Sequence, residues 1–191
     1  MTCRRDRLPL LALTLHRPWT WAITHGTKRV ENRDWEPPQQ LVGRYFAIHA
    51  GLSYDVEGAA HMVMNAKELK IGEPPGDKDP AFQGGFIVGV VRLAGAVEFA
   101  FDPSGDMPPS RRSILGPLTS GQYTLAAASP WTTGPWAWLL EDVTAIEPVP
   151  CKGARKLWRV PDDVADLVRQ RWKAARAAAT AGGAGAAGGA R

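Results

Sequence analysis

One long apolar segment, residues 85–101 (GFIVGVVRLAGAVEFAF), constrains the fold of this chain more than any other feature. Its β-branched and aromatic residues favour a β-strand. Gly89 and Gly95 interrupt the pattern, and glycines inside a strand favour bends or bulges. A strand that bends at such points curves the sheet to which it belongs. The segment therefore predicts a curled sheet or a small barrel.

Shorter segments supply the other predicted elements of the domain. Strands are predicted at residues 10–15, 43–50, 136–146 and 151–160, together with a loop and strand at 27–35. Helices are predicted at residues 16–26, at 54–67, and from Asp162 onward with an apolar stripe of Val164, Leu167, Val168 and Trp172. A chain of 191 residues is ordinary for one domain. The pattern indicates a mixed α+β fold, a small curved β-barrel flanked by short helices.

Three segments are predicted to lie outside regular structure. Residues 70–83 are rich in proline, glycine and charge, which predicts a surface loop, and residues 147–150 predict a turn. Residues 102–128 predict a long insertion with little regular structure. From residue 174 the chain is almost pure alanine and glycine, so we expect a C-terminal extension, disordered over residues 182–191 after a first part that extends the last helix.

The charge of the chain is concentrated at its two ends. Lysines and arginines outnumber acids by 8 to 4 in residues 1–50 and by 9 to 3 in residues 151–191, whereas acids dominate between them, 12 to 6. If the two ends meet in the fold, they form a positive face that attracts phosphates. The alternative is solvated charge without a partner.

The composition also argues against several kinds of site. No apolar stretch approaches the roughly 20 residues that a membrane helix requires, so no membrane association is expected. Cys3 and Cys151 form neither a disulfide framework nor a metal-ligand cluster, which agrees with a reducing cytoplasm. Neither His16 nor His49 has a Cys or His partner at metal-ligand spacing, and we expect neither a metal nor a cofactor. The sequence sets no oligomeric state.

Two motifs carry a resemblance to a known family. Residues 26–33 (GTKRVENR) fit G-x-K-x-x-E-x-R, the signature of ASCH domains, and residues 152–159 (KGARKLWR) resemble the closing segment of the ASCH domain in activating signal cointegrator 1. The chain is accordingly similar to ASCH domain proteins over roughly residues 10–160, and we expect the domain to occupy residues 1–173. The resemblance implies a PUA-like fold with a cleft beside the first helix, and binding of RNA, DNA or a modified nucleoside.

The signature residues have a chemistry that suits such a ligand. Lys28 is a compact cation, Arg33 is a planar fork for phosphate or base-edge contacts, and ionised Glu31 accepts hydrogen bonds from an exocyclic amine. On an extended strand Glu31 and Arg33 share one face, and Lys28 joins them only if the preceding loop bends. The alternative is an ion pair of Glu31 with Lys28 or Arg33 that merely holds the loop.

Aromatic and imidazole side chains complete the predicted ligand site. Among eight tryptophans, Trp35, Trp131 and Trp136 stand beside loop residues and are predicted to stack on a base, whereas Trp19, Trp138, Trp158 and Trp172 are predicted to be packed in the core. His16 and His49 are predicted to bind ligand; His49 ends a strand and has a pKa suited to a general base. A histidine satisfied by the backbone is the alternative. His25 and His61 are predicted to lie on the surface.

These observations leave two functions open. The first is a binding module for RNA, DNA or a modified base. The second is a hydrolase acting on RNA or on a modified nucleoside, with Lys28, Glu31 and His49 as its catalytic residues. The acetylcytidine amidohydrolases of the family carry a threonine nucleophile three positions after the motif lysine, and this chain has Glu31 there. Thr27, Ser53 and Ser129 carry the other hydroxyl groups that are candidates for a nucleophile. We therefore favour binding.

Overall fold

The computed structural model describes residues 8–100 and 110–185, and of residues 182–185 it describes the backbone alone. Within these ranges the strands are β1 (Leu11–Arg17), β2 (Val30–Arg33), β3 (Tyr45–Tyr54), β4 (Phe86–Ala100), β5 (Ser110–Leu115), β6 (Trp136–Pro150) and β7 (Leu157–Arg159). The helices are α1 (Trp19–Thr24), α2 (Val56–Met64), α3 (Ala66–Leu69), α4 (Ser120–Ala128) and α5 (Asp162–Gly185). Two short 3-10 helices lie at Gln39–Leu41 and Pro80–Phe82.

All seven strands form one sheet, in the order β2-β6-β4-β3-β1-β7, with β5 on the far part of β4. The pair β1 and β3 is parallel, and the other pairs are antiparallel. The β4–β6 register shifts three times, between Ile87 and Gly89, between Val90 and Arg92, and between Leu93 and Gly95. These bulges include both predicted glycines and increase the local twist, so the sheet curls into an open half-barrel. The predicted mixed α+β class is confirmed.

The sheet buries apolar side chains on both faces. On β6, Trp136, Trp138 and Leu140 belong to the cluster inside the half-barrel, and the alternating residues Ala137 and Leu139 pack outside it among the helices. A third cluster lies beneath α5, whose Val168 is 1% exposed. These clusters pack both faces of the sheet that supports the strand ends.

Two predictions of irregular structure are wrong. The insertion at 102–128 was predicted to have little regular structure, but its described residues 110–128 contain β5 and α4. Helix α4 begins with a capping box, in which Thr119 and Gln122 exchange hydrogen bonds. The residue types of this capping box are visible in the sequence. Residues 147–150 continue β6 rather than turn. β2 pairs with β6 only over residues 136–139. Over residues 147–150, the edge of β6 that faces away from β4 therefore has no partner among the described strands, and such an edge tolerates proline.

Both predicted helix boundaries at the chain ends also differ from the structure. The first helix is shorter than residues 16–26, because His16 and Arg17 still belong to β1. The last helix extends to Gly185, beyond the predicted start of disorder at 182. The rest of the predicted tail, residues 186–191, and residues 102–109 of the insertion lie outside the described residues.

Candidate functional site

A cavity of about 1080 Å³ opens where the carboxyl ends of the parallel strands β1 and β3 meet. Its lining comes from those two strand ends, from β2, from the start of α1, and from the segments around residues 130–133 and 152–156. Seven of the eight residues predicted to bind ligand line it: His16, Lys28, Glu31, Arg33, Trp35, His49 and Trp131. The fold therefore brings them together, and their role in ligand binding stays a prediction.

The signature residues form a charged row along one wall of the cavity. Glu31 and Arg33 share a face of β2, as the strand period predicts, and their Oε1 and Nη1 atoms are 3.5 Å apart. Lys28 Nζ lies 3.5 Å from Glu31 Oε2 and also donates to the carbonyl of Val30. Both members of the inner pair are almost fully buried, Lys28 at 2% and Glu31 at 5% exposed.

Lys28 reaches this row because the chain folds back directly after α1. Lys28 N donates to Ala22 O at 3.0 Å, and a side chain at Gly26 would place its Cβ 2.7 Å from the same carbonyl oxygen. Burial lowers the pKa of Lys28, and the attraction to Glu31 opposes that shift. The ammonium is thus held by the protein rather than free for phosphate.

Tryptophans surround the charged row. Lys28 Nζ lies 5.6 Å from the ring centroid of Trp19 and 5.8 Å from that of Trp131, and the Arg33 guanidinium lies 5.7 Å from the centroid of Trp35. Trp19, which was predicted to be packed in the core, packs against a core cluster and also lines the cavity. Trp136 was predicted to stack on ligand, but it packs in the interior cluster and does not line the cavity.

Two side chains that sequence reasoning did not select fix the aromatic walls. Asn32 lies between Glu31 and Arg33, and its amide donates to Trp131 O at 2.7 Å while its Oδ1 accepts from the amides of Thr133 and Gly134. Asp55 Oδ2 accepts from Trp19 Nε1 at 2.8 Å, and its Oδ1 caps α2 at Gly58 N. The hydrogen bonds from Gly58 and Trp19 lower the pKa of Asp55.

We expect Asp55→Ala to lower the free energy of unfolding by about 1–2 kcal/mol, because both the helix cap and the bond to Trp19 are lost. Asp55→Asn is the matched control, since its single carbonyl oxygen keeps the cap and gives a smaller loss. Urea unfolding followed by far-UV circular dichroism measures both variants. Alanine and asparagine variants as stable as the wild type would contradict the assigned role of Asp55.

The histidines differ in burial. His16 and His61 line the cavity and are exposed at its rim. His25 is also exposed but does not line the cavity, so both His25 and His61 lie on the surface as predicted. His49 is 2% exposed, and its Nε2 lies 2.9 Å from Cys151 O. Because a carbonyl oxygen only accepts, Nε2 carries the proton and Nδ1 is an acceptor. Burial lowers the pKa of His49, opposed by the bond to Cys151.

The segment of residues 152–156, which we call the basic loop, was part of the matched closing motif but was not predicted to bind ligand. All five of its residues line the cavity, including the exposed side chains of Lys152, Arg155 and Lys156. The charged residues of the lining are thus five cations, Lys28, Arg33, Lys152, Arg155 and Lys156, against the two carboxylates Glu31 and Asp34. Cations from both basic regions of the sequence, residues 1–50 and 151–191, thus line this cavity. The clustered charge of the motif was the available signal.

The hydroxyls considered for hydrolysis do not line the cavity. Thr27 donates to Leu69 O, and Ser129 Oγ accepts from Trp131 N at 3.2 Å. Neither of these residues, nor Ser53, lines the cavity. The Thr14 hydroxyl does line it, and there it accepts a hydrogen bond from Trp158 Nε1 at 3.0 Å. The structure therefore assembles no nucleophile and base from the three predicted hydroxyls.

Across residues 8–100 and 110–185, no three His, Cys, Asp or Glu side chains come together so as to hold a metal ion. None of the helices in these ranges combines the length and the hydropathy needed to cross a membrane.

Comparison with known proteins gives a family and three solved structures. Residues 13–99 match the family model of the ASCH domain. The ASCH protein of Zymomonas mobilis is 15% identical, with a TM-score of 0.44, and the match covers 85% of this chain and 94% of that one. Crystal structures of two of its mutants are also 15% identical, with TM-scores of 0.43 and coverages of 85% and 98%. No curated protein matches the chain. Similarity to activating signal cointegrator 1 in particular stays a prediction.

Proposed function

We propose that the cavity of this chain, whose residues 13–99 match the ASCH domain family, binds one base of an RNA strand or of a modified nucleoside. The ASCH family is PUA-like and associated with RNA binding. The proposal itself is supported by the polar atoms and aromatic rings of the cavity.

The observation that carries the proposal is a pair of buried polar atoms without partners. Arg33 Nε, a donor, and His49 Nδ1, an acceptor, have no hydrogen-bond partner among the described residues, and both residues line the cavity. A buried polar group left unpaired costs about 1–3 kcal/mol, so a ligand that supplies the partner gains that amount. The edge of a nucleobase presents donors and acceptors side by side, and it supplies both kinds of partner once a small shift of the lining exposes these buried atoms to the cavity.

The cavity walls favour a planar ligand. Trp19, Trp35 and Trp131 line it, and stacking of a base on an aromatic ring contributes roughly 1–3 kcal/mol. Trp35 is held edge to face against Trp138, with ring centroids 4.8 Å apart, and Trp131 is held likewise against Trp19 at 6.4 Å. Rings fixed in this way lose little freedom when a base binds, which favours affinity.

The proposal is tested by replacing Arg33. We expect Arg33→Gln to weaken binding of a short single-stranded RNA by about tenfold or more, because the variant loses a charged donor in the cavity. Fluorescence anisotropy of the labelled RNA measures the affinity. Arg112→Gln is the matched control, since Arg112 is an exposed cation of β5 that does not line the cavity.

Equal affinities of wild type, Arg33→Gln and Arg112→Gln would contradict the assigned role of the cavity. A single-stranded DNA of the same sequence, added as a competitor, determines whether the ribose contributes. Each binding mixture is also analysed for shortened RNA and for deacylated nucleoside. Intact RNA and nucleoside support the binding module, whereas products formed by the wild type would favour the hydrolase.

A further inference from the structure

The basic loop presents cations that the protein leaves uncompensated. Lys152, Arg155 and Lys156 are exposed, and none of the three makes an ion pair within residues 8–100 and 110–181. Inside the cavity the situation is the opposite, since Lys28 and Arg33 both face Glu31 at 3.5 Å. The excess positive charge of the site therefore lies at the mouth of the cavity, on this loop.

The loop is fixed to the sheet at its start and at its end. The His49 Nε2–H group donates to Cys151 O at 2.9 Å, directly before the loop. Trp158, shortly after it, donates to the hydroxyl of Thr14 and lies edge to face against His49, with centroids 5.6 Å apart. Such tethers hold the loop backbone beside the cavity, so that binding costs little further backbone conformational entropy.

Gly153 sets how closely the loop approaches the sheet. A Cβ built at this position would lie 2.4 Å from His49 Cε1 and 2.9 Å from Thr14 Oγ1. Only glycine fits against these two strands, β1 and β3, without a shift. The loop backbone is therefore seated on the same two strand ends that line the cavity.

We infer that the basic loop binds phosphate groups next to the base held in the cavity, so that the ligand is a phosphate-bearing nucleotide rather than a free nucleoside. This inference rests on the proposed function, because it places the phosphates relative to a bound base. The exposed cations lie at the mouth of the cavity, and hydrogen-bonding atoms and aromatic rings lie inside it. In such an arrangement, phosphate contacts position a ligand and base contacts specify it. The phosphates of an RNA strand and of a mononucleotide are both anions that such cations bind.

The experiment compares two double variants of equal charge. Lys152→Gln/Arg155→Gln removes two cations from the basic loop, and Arg112→Gln/Lys173→Gln removes two exposed cations that do not line the cavity. Binding of a short single-stranded RNA, a nucleoside 5′-monophosphate and the free nucleoside is measured over a range of salt. An RNA-length oligomer of abasic ribose phosphate serves as the probe without bases.

We expect the loop variant to lose about tenfold or more in RNA affinity, and its plot of log affinity against log salt to flatten by roughly 0.7 for each cation removed. The charge-matched control keeps wild-type affinity, and all three proteins bind the free nucleoside equally. If only the mononucleotide shows the loss, the phosphate is that of a free nucleotide rather than a strand. Equal losses in both double variants, or an equal loss for the free nucleoside, would overturn the inference.

The abasic oligomer separates this inference from the proposed function. If RNA binds no more tightly than the abasic oligomer, yet the loop variant weakens both, the base-binding proposal fails and the phosphate site stands. If RNA binds more tightly than the abasic oligomer and the loop variant changes neither, the phosphate site fails and the base-binding proposal stands.

Discussion

Glu31→Ala is expected to lower the free energy of unfolding by about 3–5 kcal/mol, one of the two largest effects that we predict for the site. The substitution leaves the ammonium of Lys28, 2% exposed, without the carboxylate that lies 3.5 Å away. Burial already lowers the pKa of Lys28, and loss of Glu31 removes the attraction that opposes the shift. Urea unfolding followed by far-UV circular dichroism gives the difference.

The companion variant Lys28→Met/Glu31→Leu separates the ion pair from simple packing. Because both charges are removed together and the volume is kept, we expect most of the lost stability to return. Arg33 then lacks its carboxylate, but its side chain is 23% exposed, so we expect water to compensate part of that loss. A double variant as unstable as Glu31→Ala would show that packing, and not the uncompensated ammonium, causes the loss.

Gly153→Ala is expected to lower the free energy of unfolding by about 1–3 kcal/mol and to weaken RNA binding by about tenfold. The new Cβ would lie 2.4 Å from His49 Cε1 and 2.7 Å from Nδ1, so either the ring or the basic loop must move. Either movement disturbs the cavity mouth. Chemical unfolding and RNA anisotropy measure the two effects.

Two further variants control this prediction. Gly72→Ala adds the same methyl group where nothing lies within 4 Å, so we expect wild-type binding and stability within about 1 kcal/mol. Placing Gly153→Ala in a His49→Ala background removes the ring that causes the clash, so the two losses combine to less than their sum. Fully additive losses would contradict the contact between Gly153 and His49.

Part of the site follows from local sequence pattern. The two-residue period of a strand is enough to place Glu31 and Arg33 on one face, and the structure shows them 3.5 Å apart. The bends of β4 follow from glycines within an apolar strand, and both Gly89 and Gly95 stand at register shifts. These features depend on neighbours in sequence, which is why a single sequence predicts them.

Other parts depend on contacts between distant segments. Trp131 reaches the cavity because Asn32, 99 positions away, binds its carbonyl, and Trp136 packs into the interior cluster although it stands opposite Arg33 of β2. Neither partner is visible in the local sequence of the tryptophan. The basic loop is likewise seated by His49, through Cys151, which is 102 positions away. Sequence motifs therefore predicted the wall of the cavity better than its mouth.

The distribution of tryptophans has a practical consequence for spectroscopy. Trp19, Trp35 and Trp131 line the cavity, whereas Trp136 and Trp138 lie in the interior cluster. A base that stacks in the cavity quenches chiefly the emission of the first group, whereas unfolding exposes both groups to water and shifts their emission to the red. Unlabelled protein thus carries two optical signals that distinguish occupancy of the cavity from loss of the fold.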